Sequence, residues 1–72
     1  MNEVPIDTES IKLGQFLKLA NLIDSGADAK AVIADGMVRV NDEVERRRGR
    51  QLVDGDRVEF AQYAATVVAP TP

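Results

Sequence analysis

The chain contains no cysteine, histidine or tryptophan, and its only aromatic residues are Phe16, Phe60 and Tyr63. The missing thiols and imidazoles remove disulfide staples, thiol nucleophiles, zinc sites with Cys or His ligands and imidazole acid–base chemistry together. Aliphatic side chains must therefore build the core. No apolar run approaches the ~18 residues of a membrane-spanning helix. The acidic start Met1-Asn2-Glu3 lacks the basic and apolar regions of a signal peptide, so a cytoplasmic protein with no membrane partner is expected. A chain of 72 residues has room for one small domain, and such a domain buries only about 60% of the surface its unfolded form exposes. A large enclosed substrate cavity is not expected. Ser10 and Ser25 are the only serines, neither with a histidine to activate it, and nothing in the sequence around Lys30 marks it as a nucleophile. The expectation is a protein that is not an enzyme and needs no cofactor.

What is present is charge, unevenly placed. Nine basic against twelve acidic residues give a net charge of -3, which by itself argues against an anionic partner. Residues 1–10 carry acids and no base, whereas Arg46, Arg47, Arg48 and Arg50 fall within five residues that contain no acid. Salt screens exposed charges over about 8 to 10 Å, so a phosphate responds to a local cluster more than to the sum.

The hydrophobic pattern gives the order of elements. Residues 1–10 read as a loose acidic arm interrupted by Pro5, with a short edge strand around Glu9 to Ile11. Leu13, Phe16, Leu17, Ala20 and Ile23 recur at helical spacing, with Gly14, Gln15, Lys18 and Asn21 on the other side, while Leu19 and Leu22 fit the apolar face poorly. Ser25 followed by Asp28 resembles a capping box that opens a second helix. That helix carries Ala29, Val32 and Ile33 on its apolar stripe, runs to about Asp35 and stops at Gly36. The period then becomes alternating at Val38 and Val40 with Arg39 opposite, and a three-residue turn through Asn41, Asp42 and Glu43 keeps Val40 and Val44 on one face of a hairpin. Residues 46–51 have no apolar side chain and belong in solvent. Leu52-Val53, the turn at Asp54-Gly55, a strand with Val58 and Phe60 inward, a turn near Gln62 to Ala64 and a last strand over Thr66 to Ala69 complete the chain. The domain is expected over 11–69, with a flexible tail at 70–72.

The arginine cluster is the most informative feature, because guanidinium forks bind phosphate oxygens bidentately. A solvated loop paired with Asp42, Glu43 and Glu45 accounts for the same residues, and three lysines on exposed helix faces need no function when taken singly. Lys12 and Lys18 flank Gln15 on the non-core side of the first helix, and Lys30 borders the apolar stripe of the second. If both helices lie on one side of a small sheet, these lysines and the arginine loop can form one phosphate-reading surface. With Tyr63 the one ring expected to be exposed, stacking on single strands is disfavoured relative to reading the shape and backbone of folded RNA. Asp54-Gly55-Asp56 lacks the spacing of a calcium loop and reads as a turn, so no metal is expected.

Residues 11–60 resemble the alpha-L RNA-binding motif, the small domain named after ribosomal protein S4. The resemblance is carried by Lys12-Leu13, Phe16-Leu17, Ser25, Ala29-Lys30, Ile33, Gly36, Val38-Arg39-Val40-Asn41, Val44 and Gly55-Asp56 before Val58. The stretches at 13–18, 45–50 and 55–59 are similar to the short stand-alone members, called YaaA-like or YbcJ-like. The resemblance implies an α+β fold in which an αα-hairpin packs on a small, bent, mainly antiparallel sheet and presents a basic surface to structured RNA, often ribosomal. It assigns RNA contact to Lys12, Lys30, Asn41 and the loop from Arg46 to Arg50. Many members have an acidic residue and an arginine where this chain has Gly14 and Gly26, which shifts the expected load onto Lys30 and the arginine loop, and Asp42 stands at the usual turn glycine.

The leading expectation is an RNA-binding protein that contacts phosphate through Lys12, Gln15, Lys18, Lys30, Arg39, Asn41, Arg46, Arg47, Arg48 and Arg50. The partner is structured RNA, ribosomal RNA being the first candidate, and the protein is expected to be a monomer. A winged-helix-like DNA-binding module and a ribosome-associated module that docks on a ribosomal protein through Leu19, Leu22 and the acidic arm are the alternatives.

Overall fold

The computed structural model describes residues 2–70. Seven short strands and two helices follow one another as β1 (Asn2–Pro5), β2 (Ser10–Lys12), α1 (Leu13–Leu19), α2 (Gly26–Ala34), β3 (Val38–Val40), β4 (Glu43–Val44), β5 (Gln51–Val53), β6 (Arg57–Phe60) and β7 (Tyr63–Val68). A five-stranded sheet has the order β1-β7-β6-β3-β4, and β2 and β5 form a separate two-stranded ladder. All pairings are antiparallel except β1 on β7. The fold is α+β, as expected. The third helix that a winged-helix reading requires has no counterpart among the described residues.

One core joins the layers. Leu13, Phe16 and Leu17 of α1, Ile33 of α2, Val38 and Val40 of β3, Leu52 of β5, Val58 of β6 and Val67 of β7 are fully buried together. Helix α2 begins as its sequence indicates: Ser25 is the N-cap, and its hydroxyl accepts from the Asp28 N–H at 3.2 Å. It ends at Gly36, whose φ of 74° is the left-handed conformation that closes a helix.

Four expectations are corrected. Residues 1–10 are not a loose arm throughout, because Asn2–Pro5 pairs with β7 from Asn2↔Ala65 to Pro5↔Val68 and Ile6 is buried. The backbone bonds to β7 are contributed by a segment distant in sequence and leave no local signal. Helix α1 stops at Leu19 rather than continuing to Ile23, since Asn21 adopts a φ of 61° and turns the chain, after which Leu22 and Ile23 still pack on the core. The hairpin turn has two residues, not three: Asn41 and Asp42 have φ of 52° and 71°, which gives the primed turn that matches strand twist. Val40 then pairs with Glu43 and Arg39 with Val44, so Val44 is carried to the solvent side. Finally, the last turn falls at Ala61-Gln62, and β7 begins at Tyr63. Of the tail expected at 70–72, Pro70 has no regular structure, and residues 71–72 lie outside the described residues, as does Met1.

Candidate nucleic-acid interface

Helix α1 has no side-chain cap, since Lys12 occupies the N-cap position without a capping hydrogen bond. Its first-turn amides need partners, and the arginine-rich loop supplies two of them. The Leu13 N–H donates to the Arg50 carbonyl at 2.9 Å, and the Gly14 N–H donates to the Arg48 carbonyl at 3.1 Å. These bonds continue the β2–β5 ladder, in which Lys12 pairs with Gln51. The cationic loop is thus docked on the start of α1.

The course of the Arg48 side chain depends on Gly14. A Cβ built there would lie 2.8 Å from Arg48 Cγ, so the stem of Arg48 crosses the bare glycine backbone. The result is a surface cleft of about 330 Å³, lined by Lys12, Gly14, Gln15 and Lys18 from the first helix and its N-cap, Gly26 and Ala29 from α2, and Arg48 and Gly49 from the loop. Lys12, Gln15, Lys18 and Arg48 are all exposed, and among the described residues neither the two lysines nor Arg48 has a carboxylate within ion-pairing distance. Lys30, one helical turn beyond Gly26, is exposed on the same side of α2.

The other arginines lie elsewhere. Arg46 reaches the opposite end of α2, where a Cβ on Gly36 would meet its Nη2 at 2.7 Å. Helix α2 has no basic residue of its own in its last turn, and the cation suits the negative end of the helix dipole. Arg47 and Arg50 converge on Glu45, the one buried charged residue among those described. Glu45 Oε2 accepts from the Arg47 backbone N–H and Nε, both at 3.1 Å, and Oε1 accepts from Arg47 Nη2 at 3.1 Å and Arg50 Nη1 at 3.0 Å. The Arg47 hydrogen bonds, against the opposing effect of burial, lower the Glu45 pKa to about 2. Two of the four clustered guanidiniums are therefore partly neutralised, as the solvated-loop reading anticipated, while Arg48 is not.

Arg39 lies on β3 opposite Val44 and Glu59, on the side of the sheet facing away from the buried Val38 and Val40. Asn41 has both ends of its amide occupied: Nδ2 donates to Asp56 Oδ1 at 3.0 Å and Oδ1 accepts from the Arg57 N–H at 3.0 Å. The Asp54-Gly55-Asp56 carboxylates accept within the fold, Asp54 from the Ala69 N–H and Asp56 from the Val53 N–H and Asn41. Of the sequence-predicted contacts, Lys12, Gln15, Lys18 and Arg48 share one cleft, with Lys30 at its flank. Arg39, Asn41, Arg46, Arg47 and Arg50 do not line it.

The profile of the S4 domain family matches residues 4–68. The chain belongs to the S4-domain family. The probable ribosome maturation protein RlbA of Bacillus subtilis is 52% identical over 64 residues, which cover 89% of this chain and 90% of that one. The putative RNA-binding protein YbcJ of Escherichia coli is 42% identical over 59 residues, covering 82% and 84%. The solution structure of YbcJ, described as revealing an αL motif involved in RNA binding, superposes with a TM-score of 0.74 at 37% identity over 96% of this chain and 89% of YbcJ. A 30S ribosomal protein of Thermoplasma acidophilum, at 21% identity and a TM-score of 0.61 over 81% of this chain and 31% of its own, shares the fold alone.

Within this S4 domain, sequence reasoning missed Glu45 as an organiser and missed the glycines and Ala29 as cleft lining. The two glycines that depart from the family pattern, Gly14 and Gly26, are both in the cleft wall, and that departure was the only signal for them.

Proposed function

We propose that this protein binds structured RNA through the phosphate backbone, with ribosomal RNA as the partner class. The observation that carries the reading is the convergence of Lys12 and Lys18 of the first helix and its cap with Arg48 of the distant loop, without an ion-pair partner among the described residues, on one cleft of a molecule whose net charge is -3. Concave placement of cations with no competing carboxylate favours a polyanion over solvent alone. Gln15 and Lys30 extend the contact, and Arg46, Arg47 and Arg50 add longer-range attraction. The names of two close relatives, a ribosome maturation protein and an RNA-binding protein, support the choice of RNA and of the ribosome as its source.

Phosphate neutralisation releases counterions, so affinity must fall steeply with salt. Anisotropy titrations of a ribosomal RNA fragment between low and moderate salt test this. The triple substitution Lys12→Glu, Lys18→Glu, Arg48→Glu should abolish measurable binding, and single Lys→Ala changes should each lower the log–log salt slope by about one. Arg47→Ala should cost less than Arg48→Ala because Glu45 already occupies its guanidinium. Undiminished binding by the triple variant would overturn the proposal.

A further inference from the structure

The cleft is larger than phosphate binding requires. A phosphate group has five heavy atoms, and at about 30 Å³ for each water-sized position it fills less than half of the available space. The roughly 330 Å³ present is instead at the lower end of sites that take small organic molecules, which start at about 300 Å³, the scale of a single nucleotide.

Its walls also differ from those of a simple charged surface. The cations Lys12, Lys18 and Arg48 are accompanied by the amide of Gln15, the buried methyl of Ala29 and the bare backbone of Gly26 and Gly49. An amide that both donates and accepts suits a base edge, and an arginine plane suits a base face. Gly26 and Gly49 are unexplained by the fold. A Cβ added at either meets nothing within 4 Å, and neither has the positive φ that would call for glycine. Gly26 is the first residue of α2, directly after the Ser25 cap. What the missing side chains provide is room in the cleft.

We infer that the cleft receives one unpaired nucleotide extruded from the RNA, its phosphate held by Lys12, Lys18 and Arg48 and its base set against Gln15, Ala29 and the two glycines. This rests on the RNA-binding reading and narrows it to helices interrupted by a bulge. An uninterrupted A-form helix engages the same cations but leaves the cleft empty.

The test uses the full chain and two hairpin RNAs that differ by a single bulged 2-aminopurine nucleotide. Tenfold or tighter binding of the bulged hairpin is expected, with a change in 2-aminopurine emission. Gly26→Leu and Gly49→Val, each checked for folding by circular dichroism, should reduce the preference below threefold. Equal affinity of the parent protein for the two hairpins, or a preference that survives in whichever filled variant folds, overturns the inference while leaving RNA binding in place. Displacement of the bulged RNA by micromolar nucleoside monophosphate overturns it in favour of free nucleotides. Failure to bind either hairpin at low salt overturns the RNA-binding reading itself, and the inference falls with it.

Discussion

Glu45→Gln isolates what holds the arginine loop. The substitution keeps the shape of the side chain and removes its charge, so four hydrogen bonds from Arg47 and Arg50 lose their ionic acceptor. The magnitude follows from linkage. Glu45 is lowered from 4.5 to about 2, chiefly by the Arg47 side-chain bonds. At about 1.4 kcal/mol per pKa unit this caps the stabilisation between about 3 and 4 kcal/mol. Arg47 is 78% exposed at its side chain while Glu45 is 8% exposed, and screening of such a pair leaves about 1 to 2 kcal/mol.

The sign is set by the direction of the shift. A carboxylate whose folded pKa is depressed contributes its full stability above its unfolded value and loses it as pH falls through the folded one. The contribution is therefore complete above about pH 5, declines below 4.5 and is spent near 2. Urea unfolding followed by circular dichroism, on parent and variant at intervals from pH 7 to pH 2, measures the difference directly. The other carboxylates titrate in both proteins and cancel in the comparison. The expected result is a stability gap of about 1 to 2 kcal/mol at pH 7 that closes toward pH 2. A gap that stays constant over that range would refute the ionic account and leave only shape or packing at Glu45.

Two further perturbations test local geometry. Gly36→Ala forces an L-residue into a φ of 74° and brings a Cβ within 2.7 Å of Arg46 Nη2; a loss of about 1 to 2 kcal/mol is expected, read as a Tm drop of about 4 to 8 °C per kcal/mol by thermal melting. Asn41→Ala removes both turn hydrogen bonds at a φ of 52° and should cost about 1 to 3 kcal/mol in urea unfolding, with Asn41→Gly recovering the part due to backbone strain.

The elements most legible in the sequence are those whose signals are local. Helix α2 announces both ends within its own residues, through the Ser25 cap and Gly36. Strands β3 and β6 show buried Val38, Val40 and Val58 at alternating spacing. The unread features depend on partners distant in sequence. Strand β1 exists because β7 offers it a parallel edge, and nothing near Asn2–Pro5 encodes that. The register of the β3–β4 hairpin turns on whether Asp42 as well as Asn41 accepts a positive φ, and a slip of one residue exchanges Val44 between core and solvent. In the candidate site, the residue types and the contributing elements were readable, but a run of arginines looks the same whether its charges are free or paired. Only the burial of Glu45 sorts them.

That sorting explains how an acidic chain can present a cationic site. The loop supplies carbonyls to the first amides of α1, yet four arginines within five residues repel one another and resist being fixed in place. Glu45 relieves the repulsion by taking Arg47 and Arg50 from below, and the dipole of α2 takes Arg46 at its far end. With three cations occupied by the fold itself, the carbonyls of Arg48 and Arg50 accept from the Gly14 and Leu13 amides. The arginine left over is the one whose stem lies across Gly14, beside Lys12 and Lys18. Acidic residues over the remaining surface weaken indiscriminate attraction to polyanions, so under the proposed reading binding would depend on a partner fitting the cleft and not on charge alone.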